Sequence, residues 1–461
     1  MSEAAGRQVA DVVVLGLGVG GEAVAGTLAE AGLDVVGIEN RLVGGECPYW
    51  GCIPSKMMIR AANLLEEGRR IPGMAGQSSV GPDWTPVARR IRDEATDDWD
   101  DQAAVDRFTG KGGRFVRGSG RVLSRTEVEV DGVGVIEARR ALVVATGTTP
   151  VIPPIPGLHD TPYWTNRQAI EAETLPESLV VLGGGAIGCE LGQAYARFGV
   201  RVTIVDAASR PIAHEEPEAG DLVAEALTAD GITLCLGRRA AAVAHDANGF
   251  RVDLDDGRTL RADQLLVATG RRPGVDEDTW TRLGLSGKPE ALPVDDRLRV
   301  TDGVWAVGDV TGHGAFTHVA TYQADIAVRD ILGRGGPDAD YRALPRVTFT
   351  DPEVGAVGLT EHQARDQGYR VLTGSTPIPS TSRGWIHKVG NAGIIKLVVD
   401  ADTDLLLGAT SAGPAGGEVL GALSVAVHAR VPVSVLESMI YAYPTFHRGI
   451  QDAIRDLRSR A

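Results

Sequence analysis

Two stretches of this chain carry one pattern, and that repeat limits the possible folds more than any other feature. The run Asp11-Val12-Val13-Val14-Leu15 leads into Gly16-Leu17-Gly18-Val19-Gly20-Gly21, an Ala-rich helical pattern from Glu22 to Ala31, then Val35-Val36-Gly37-Ile38 and Glu39. Likewise Leu179-Val180-Val181-Leu182 leads into Gly183-Gly184-Gly185-Ala186-Ile187-Gly188, a helix-like run, and Val202-Thr203-Ile204-Val205-Asp206. In both copies 23 positions separate the first glycine from the acid. A continuous apolar run suits a parallel strand buried on both faces. Gly-x-Gly-x-x-Gly between strand and helix lets the backbone approach a pyrophosphate at the helix N-terminus, and the acid ending the next strand accepts from a ribose. The residues read as two dinucleotide sites, built on Gly16, Gly18, Gly21 and Glu39, and on Gly183, Gly185, Gly188 and Asp206. Both copies close on Ala-Thr-Gly, at Ala145-Thr146-Gly147 and Ala268-Thr269-Gly270.

The copies differ in length. From first glycine to Ala-Thr-Gly is 129 positions in the first and 85 in the second, and the longer copy holds a cysteine pair. That pair lies in Gly44-Gly45-Glu46-Cys47-Pro48-Tyr49-Trp50-Gly51-Cys52-Ile53-Pro54-Ser55-Lys56, ahead of a helix-like run. Residues i and i+5 of a regular helix are about 8.7 Å apart at Cα, whereas a disulfide wants roughly 4.4–6.8 Å. A bridge here requires a distorted first turn, which Pro48 and Gly51 suit. Such a bridge closes a short loop and is reducible; two unrelated buried thiols are the bland alternative.

Composition narrows the class. A net charge of −15 argues against nucleic acid and anionic membrane surfaces as partners. No apolar run reaches the length of a membrane span, and Met1 to Ala10 lacks a signal-peptide layout. Four cysteines in a leaderless chain point to a reducing, cytoplasmic compartment. There a close pair is catalytic or metal-binding, and no further ligand lies near it in sequence, so no metal is expected. The 461 residues suffice for about three domains.

Elsewhere the chain reads plainly. Residues 82–109 are charged and read as a solvated helix, and Arg114 to Arg139 as short strands with Gly turns. Pro150, Pro153, Pro154 and Pro156 mark a stiff linker. From about Tyr341 the pattern becomes antiparallel α+β: strands at 346–350 and 393–399, a hairpin return at 405–409, and helices at 417–429 and 432–440. Cys189 and Cys235 read as small buried residues.

The Gly44–Lys56 segment resembles the active-site signature of the class I pyridine nucleotide-disulfide oxidoreductases, the flavoprotein group of lipoamide dehydrogenase, glutathione reductase and mercuric reductase. Its pattern, GG-x-C-x4-C-x-P-S-K, is matched throughout, with Tyr49-Trp50 where smaller residues are usual. The resemblance covers nearly the whole chain. It implies an α/β fold with two doubly wound nucleotide-binding domains and an α+β interface domain forming a homodimer. The domains would be 1–150 for FAD and the cysteine helix, 151–272 for NAD(P), 273–340 returning to the central domain, and 341–461 for the interface. It implies that hydride passes from NAD(P)H to FAD and on to the Cys47/Cys52 pair, with Cys52 facing the flavin and Cys47 meeting the acceptor.

Further residues follow from the same resemblance. Lys56 would pair with Glu190 near the flavin. Gly45, Gly120, Thr146, Gly147 and Asp309 would line the FAD site, with Asp309 on the ribitol, and Gly270 would close the NAD(P) site. The Phe316-Thr317-His318 run would start a helix beneath the isoalloxazine. Asp206 favours NADH over NADPH, because a carboxylate repels a 2′-phosphate; Arg210 lies near enough to complicate this.

One motif departs. Where disulfide-reducing members carry H-P-T-x-x-E, this chain reads Tyr443-Pro444-Thr445-Phe446-His447-Arg448. Phenols ionise near pH 10, too high for a base at neutral pH, and arginine cannot orient a partner as a carboxylate does. His447 is four positions off register. Mercuric reductases also carry tyrosine in that region but add a C-terminal cysteine pair, and Asp456 to Ala461 holds none. Three functions stay open: reduction of a small disulfide, reduction of a quinone, metal ion or other electrophile, or a low-turnover redox sensor.

Overall fold

The computed structural model describes residues 7–460, which divide into two units. The first comprises residues up to Pro54, Arg89–Val151 and Gly270–Asp340; the second comprises Ser55–Ala88, Ile152–Thr269 and the chain from Tyr341 on.

The first unit is built on an eight-stranded sheet. Its main path runs Arg299–Thr301, Val304–Ala306, Gly134–Val144, Gln8–Leu15, Val35–Glu39, Arg114–Arg117. The strands from Val304–Ala306 to Arg114–Arg117 are mutually parallel. Val12, Val13, Val14, Val35 and Val36 are fully buried, as a central parallel strand pair demands. Helices Val19–Glu30 and Thr317–Ile331 cover one face, where Val24, Leu28, Ala327 and Ile331 join one apolar core.

Residues 82–109 are not one solvated helix. They form Thr85–Arg90, a π-helical turn at Ile91–Ala95, and a separate helix Gln102–Gly110. Between them Asp97, Asp98 and Trp99 hold φ of 47°, 53° and 57°. Three consecutive left-handed residues cannot continue a right-handed helix, and Val87, Ile91, Ala104 and Phe108 pack inward. Acidic composition hid both features.

Part of the second unit repeats the parallel-sheet pattern of the first with fewer strands. Four parallel strands run Thr233–Leu236, Arg201–Asp206, Ser178–Leu182, Gln264–Val267, with an antiparallel meander of Ala240–Asp246, Gly249–Leu254 and Thr259–Ala262. Its C-terminal part is a five-stranded antiparallel sheet ordered Pro345–Thr348, Glu353–Gly358, Leu406–Gly413, Ile394–Asp400, Val371–Pro377. Two of these strands, Glu353–Gly358 and Val371–Pro377, are additions to the sequence reading. Helices Gly416–His428 and Gly449–Ser459 bury Leu420, Leu423, Ile454 and Leu457 in the core shared with this sheet.

One polar stripe ties the second unit together. Helix Ala186–Arg197 offers Glu190, Gln193 and Arg197, three and four residues apart and so on one face. The nearly inaccessible Arg197 guanidinium bonds Asp230 at 3.0 Å, Asn63 at 2.7 Å and Asp351 at 2.8 Å. Gln193 exchanges two hydrogen bonds with the Asp351 backbone, donating to its O and accepting from its N. Arg70 also donates to Asp351, at 2.7 Å. A buried guanidinium is tolerated only with its donors matched this way.

Candidate active site

The two fingerprints use their glycines identically. Gly16 and Gly183 have φ of +92° and +110°, and a Cβ on either would meet the carbonyl oxygen of Ala145 or Ala268 at 2.4 and 2.3 Å. A Cβ on Gly21 or Gly188 would lie 2.0 Å from the Gly16 or Gly183 carbonyl oxygen. These four are glycine because helix and strand ends touch backbone to backbone. Gly18 and Gly185 are glycine for another reason: a Cβ there meets nothing within 4 Å. They are the N-caps of helices Val19–Glu30 and Ala186–Arg197, and neither helix has a side-chain cap. Both helix starts thus lack a side-chain cap and have open space beside their N-cap glycine, which suits a pyrophosphate.

The acids are equivalent too. Glu39 accepts from Leu17 N at 2.9 Å and Arg41 N at 2.8 Å. Asp206 accepts from Gly184 N and, at 2.6 Å, from Ala208 N. Each carboxylate thus fixes the loop it serves and keeps lone pairs for further donors. Arg210 is engaged by Asp221 at 2.8 Å.

Around the first fingerprint, the buried Thr146 Oγ1 has no hydrogen-bond partner among the described residues. An orphaned buried hydroxyl beside open glycines fits a polar ligand. Gly147 has φ +63° with nothing within 4 Å of a Cβ, and a Cβ on Gly45 would lie 2.9 Å from Gly18 Cα. Asp309 accepts from Thr148 Oγ1 at 2.8 Å, and Arg271 Nε donates to that same oxygen at 2.8 Å. Gly120 is a packing residue, its Cβ position 2.5 Å from Leu15 Cδ1. Gly270 has φ +113° and open space.

The cysteines sit where the chain breaks. Glu46–Trp50 is a short helix, Gly51 turns the chain with φ −132° and ψ −117°, and helix Cys52–Arg70 follows. This break is the distortion that the spacing requires, placed at Gly51. No disulfide joins the two cysteines; Cys47 is half-buried and Cys52 exposed. Cys52 Sγ lies 3.3 Å from Thr317 Oγ1, in the first turn of helix Thr317–Ile331. Hydrogen bonding with the Cys52 sulfur, then burial, pushes the Cys47 thiol well above its ordinary range, and the Thr317 hydroxyl opposes this. Two helix N-termini therefore bear on Cys52, and each favours negative charge.

In the second unit Lys56 Nζ lies 2.8 Å from Glu190 Oε2, and Glu190 is 6% exposed. Glu190 Oε1 accepts from Phe349 N at 2.8 Å, and the ammonium lies 4.5 Å from the Phe349 ring centroid. Sequence reasoning missed Phe349, Thr148 and Arg271, and it named Thr317 as part of a helix start without its contact to Cys52; the partners of each lie far off in sequence. Tyr443 is 68% exposed, with the Arg448 guanidinium carbon 5.3 Å from its ring centroid. Among the described residues, no three His, Cys, Asp or Glu groups cluster to hold a metal ion. No helix among them is long and apolar enough to cross a membrane.

Paired glycine-rich fingerprints, a close cysteine pair and an antiparallel C-terminal sheet define a flavoprotein disulfide reductase, and the chain belongs to the pyridine nucleotide-disulphide oxidoreductase family, matched over residues 10–324. Residues 344–454 match that family's dimerisation domain. It is an FAD- and NAD(P)H-dependent oxidoreductase. Among its relatives, the mercuric reductase of Bacillus cereus is 32% identical over 446 residues, 95% of this chain and 70% of that protein. The dihydrolipoyl dehydrogenase of Haloferax volcanii is 31% identical, covering 98% of this chain and 97% of that one. The Cu(II) complex of the HOCl-induced flavoprotein disulfide reductase RclA from Escherichia coli superposes with a TM-score of 0.85 at 28% identity, covering 97% of this chain and 99% of that one.

Proposed function

We propose that the Cys47/Cys52 pair delivers electrons to a thiophilic metal ion, with NADH as reductant, in a cytoplasmic homodimer. The observation that carries this reading is Tyr443 and Arg448 standing where disulfide-reducing members keep histidine and glutamate. A small disulfide takes up two electrons and two protons, and its leaving thiolate needs a placed proton donor. A metal ion takes electrons alone. As the two sulfurs join in a disulfide bond, their electron pair leaves for one ion accepting two electrons or two ions accepting one each, and the thiol protons go to water. Names among the relatives and structural neighbours agree with such an acceptor: mercuric reductase and a Cu(II) complex.

Bound FAD supplies the two-electron carrier between nicotinamide and sulfur. The chain's own groups do the rest. Amides at the Gly18 helix start bind phosphate, Glu39 and Thr146 offer polar contacts, and Thr148 orients Asp309. The Thr317 hydroxyl lies 3.3 Å from the Cys52 sulfur at two helix starts, which favour the charge on Cys52, while Cys47, its thiol pushed up, holds the shared proton and meets the acceptor. NADH is favoured because Asp206 ends its strand and Arg210 is occupied by Asp221. Exposed Val425, Val435, Met439 and Ile440 on the dimerisation domain supply an apolar face for a second copy.

The test is steady-state NADH oxidation by FAD-loaded protein with Hg(II) or Cu(II), lipoamide, and a quinone. Metal-dependent turnover is expected to be fastest and to fall by at least about a hundredfold in Cys47→Ser. Faster turnover with lipoamide refutes the metal reading, and no turnover with any acceptor leaves a redox sensor. NADH should also raise a long-wavelength thiolate–flavin band that Cys52→Ser abolishes. Direct bleaching without that band refutes the cysteine assignment.

A further inference from the structure

Asp101 lies 54 positions from Cys47 in sequence, yet its carboxylate reaches the segment that carries the cysteine. It is 7% exposed and begins the helix Gln102–Gly110 as its N-cap residue, but its side chain does not cap that helix. Instead Oδ2 accepts from Val43 N at 2.6 Å, and both oxygens accept from Arg117 Nη2, at 2.7 and 2.6 Å. Val43 opens the Val43-Gly44-Gly45 approach to Cys47. Past it the chain folds back on itself: Gly44 has φ +105°, and a Cβ there would meet Pro48 Cγ at 3.0 Å and Tyr49 Cε2 at 3.6 Å.

Asp101 also bears electrostatically on Tyr49, a residue between the two cysteines in sequence. Tyr49, 6% exposed, has its phenol pushed up by burial and then by the Asp101 carboxylate. Arg117, the other partner of Asp101, stands opposite Glu39 in the sheet register. The turn that delivers Asp101 is the left-handed run Asp97-Asp98-Trp99. Such backbone is strained and persists where surrounding structure holds it. Here the Thr96 hydroxyl donates to Ile91 O at 3.0 Å, and Asp98 N donates to Arg92 O at 2.8 Å.

We propose that Asp101 is a positioning residue for the sulfur pair, fixing the Val43 amide and with it the Gly44-Gly45 approach so that Cys47 is held against Cys52 and Thr317. This rests on the Cys47/Cys52 reading given above. Asp101 touches neither sulfur and acts through the loop.

Two variants of the FAD-loaded protein test it, Asp101→Asn and Arg117→Gln. Each loses the Asp101–Arg117 ion pair, but only the first weakens the acceptor for Val43 N–H. After reduction by NADH, the rate of Cys47 alkylation by iodoacetamide is followed by peptide mass mapping, and the long-wavelength band is recorded. Asp101→Asn is expected to change the alkylation rate about tenfold and weaken the band, a fraction of the roughly hundredfold effect of a 1 Å misplacement. Arg117→Gln is expected to lower the melting temperature similarly while moving the rate less than about threefold. The proposal is overturned if folded Asp101→Asn keeps the wild-type rate and band, or if Arg117→Gln moves the rate equally. It is also overturned if the wild-type Val43 amide exchanges hydrogen as fast as an open loop, a measurement that needs no variant. Wild-type protein lacking the band sinks the sulfur-pair reading itself, a distinct outcome.

Discussion

Replacing Glu39 by Gln should loosen FAD and leave the pyridine nucleotide alone, and Asp206→Asn should do the reverse. The magnitude follows from the shared geometry. Each carboxylate accepts two backbone amides, Leu17 N and Arg41 N for Glu39, Gly184 N and Ala208 N for Asp206. A side-chain amide keeps one acceptor and turns a donor toward the other N–H. The lost bond is charge-assisted and part-buried, worth about 1.5–3 kcal/mol, with the lower end apt because water can reach the freed amide. At about 1.4 kcal/mol per tenfold, the FAD dissociation constant of Glu39→Gln should rise roughly tenfold to a hundredfold. The KM for NADH should rise by a similar factor in Asp206→Asn. FAD release is read by flavin fluorescence and NADH use by steady-state kinetics. If Glu39→Gln holds FAD within about threefold of wild type, or if the two effects are exchanged, the assignment of the dinucleotides to the two loops is wrong.

Two further outcomes are expected. The Lys396 ammonium, 5% exposed, meets Glu216 at 2.9 Å, Glu218 at 2.8 Å and Glu361 at 3.0 Å, so Lys396→Met should destabilise by about 3–5 kcal/mol at pH 7.5, leaving Glu216 buried and unpaired. Hydrogen bonding to Arg365, then to Lys396, lowers the Glu361 pKa against burial; a lowered carboxylate contributes stability above its unfolded value, near 4.3, and loses it as pH falls through the folded value. The gap between wild type and Lys396→Met in urea titrations should therefore narrow below about pH 5, and a constant gap down to pH 4 contradicts the reasoning. The double variant Tyr443→His/Arg448→Glu restores the family's acid–base pair and should raise the ratio of lipoamide to metal turnover at least about tenfold; an unchanged ratio argues that proton delivery does not select the acceptor.

Much of the fold was legible because its strongest signals are local. Each fingerprint sits within about 25 residues, and apolar strands flank it on both sides. The need for a break between Cys47 and Cys52 was legible from helix geometry, and Gly51 supplies it. What stayed hidden depends on contacts distant in sequence. Phe349 N–H reaches Glu190 across 159 positions, and Thr317 reaches Cys52 across 265. Nor did composition reveal that a charged stretch at 82–109 contains a left-handed turn and a buried acid, since Asp is expected equally of a solvated helix. Position alone suggested ribose contacts for Glu39 and Asp206, but not that each carboxylate splints its own glycine loop.

The contacts of Arg197 bear on how far this architecture can be taken apart. A fragment ending at Thr269 would retain Asp230 and forfeit Asp351, stranding part of a guanidinium that has almost no access to solvent. The second nucleotide-binding segment is thus not a cassette to be excised or exchanged by itself. Any chimera that transplants it must bring the loop around Asp351 along, or give the arginine a new carboxylate.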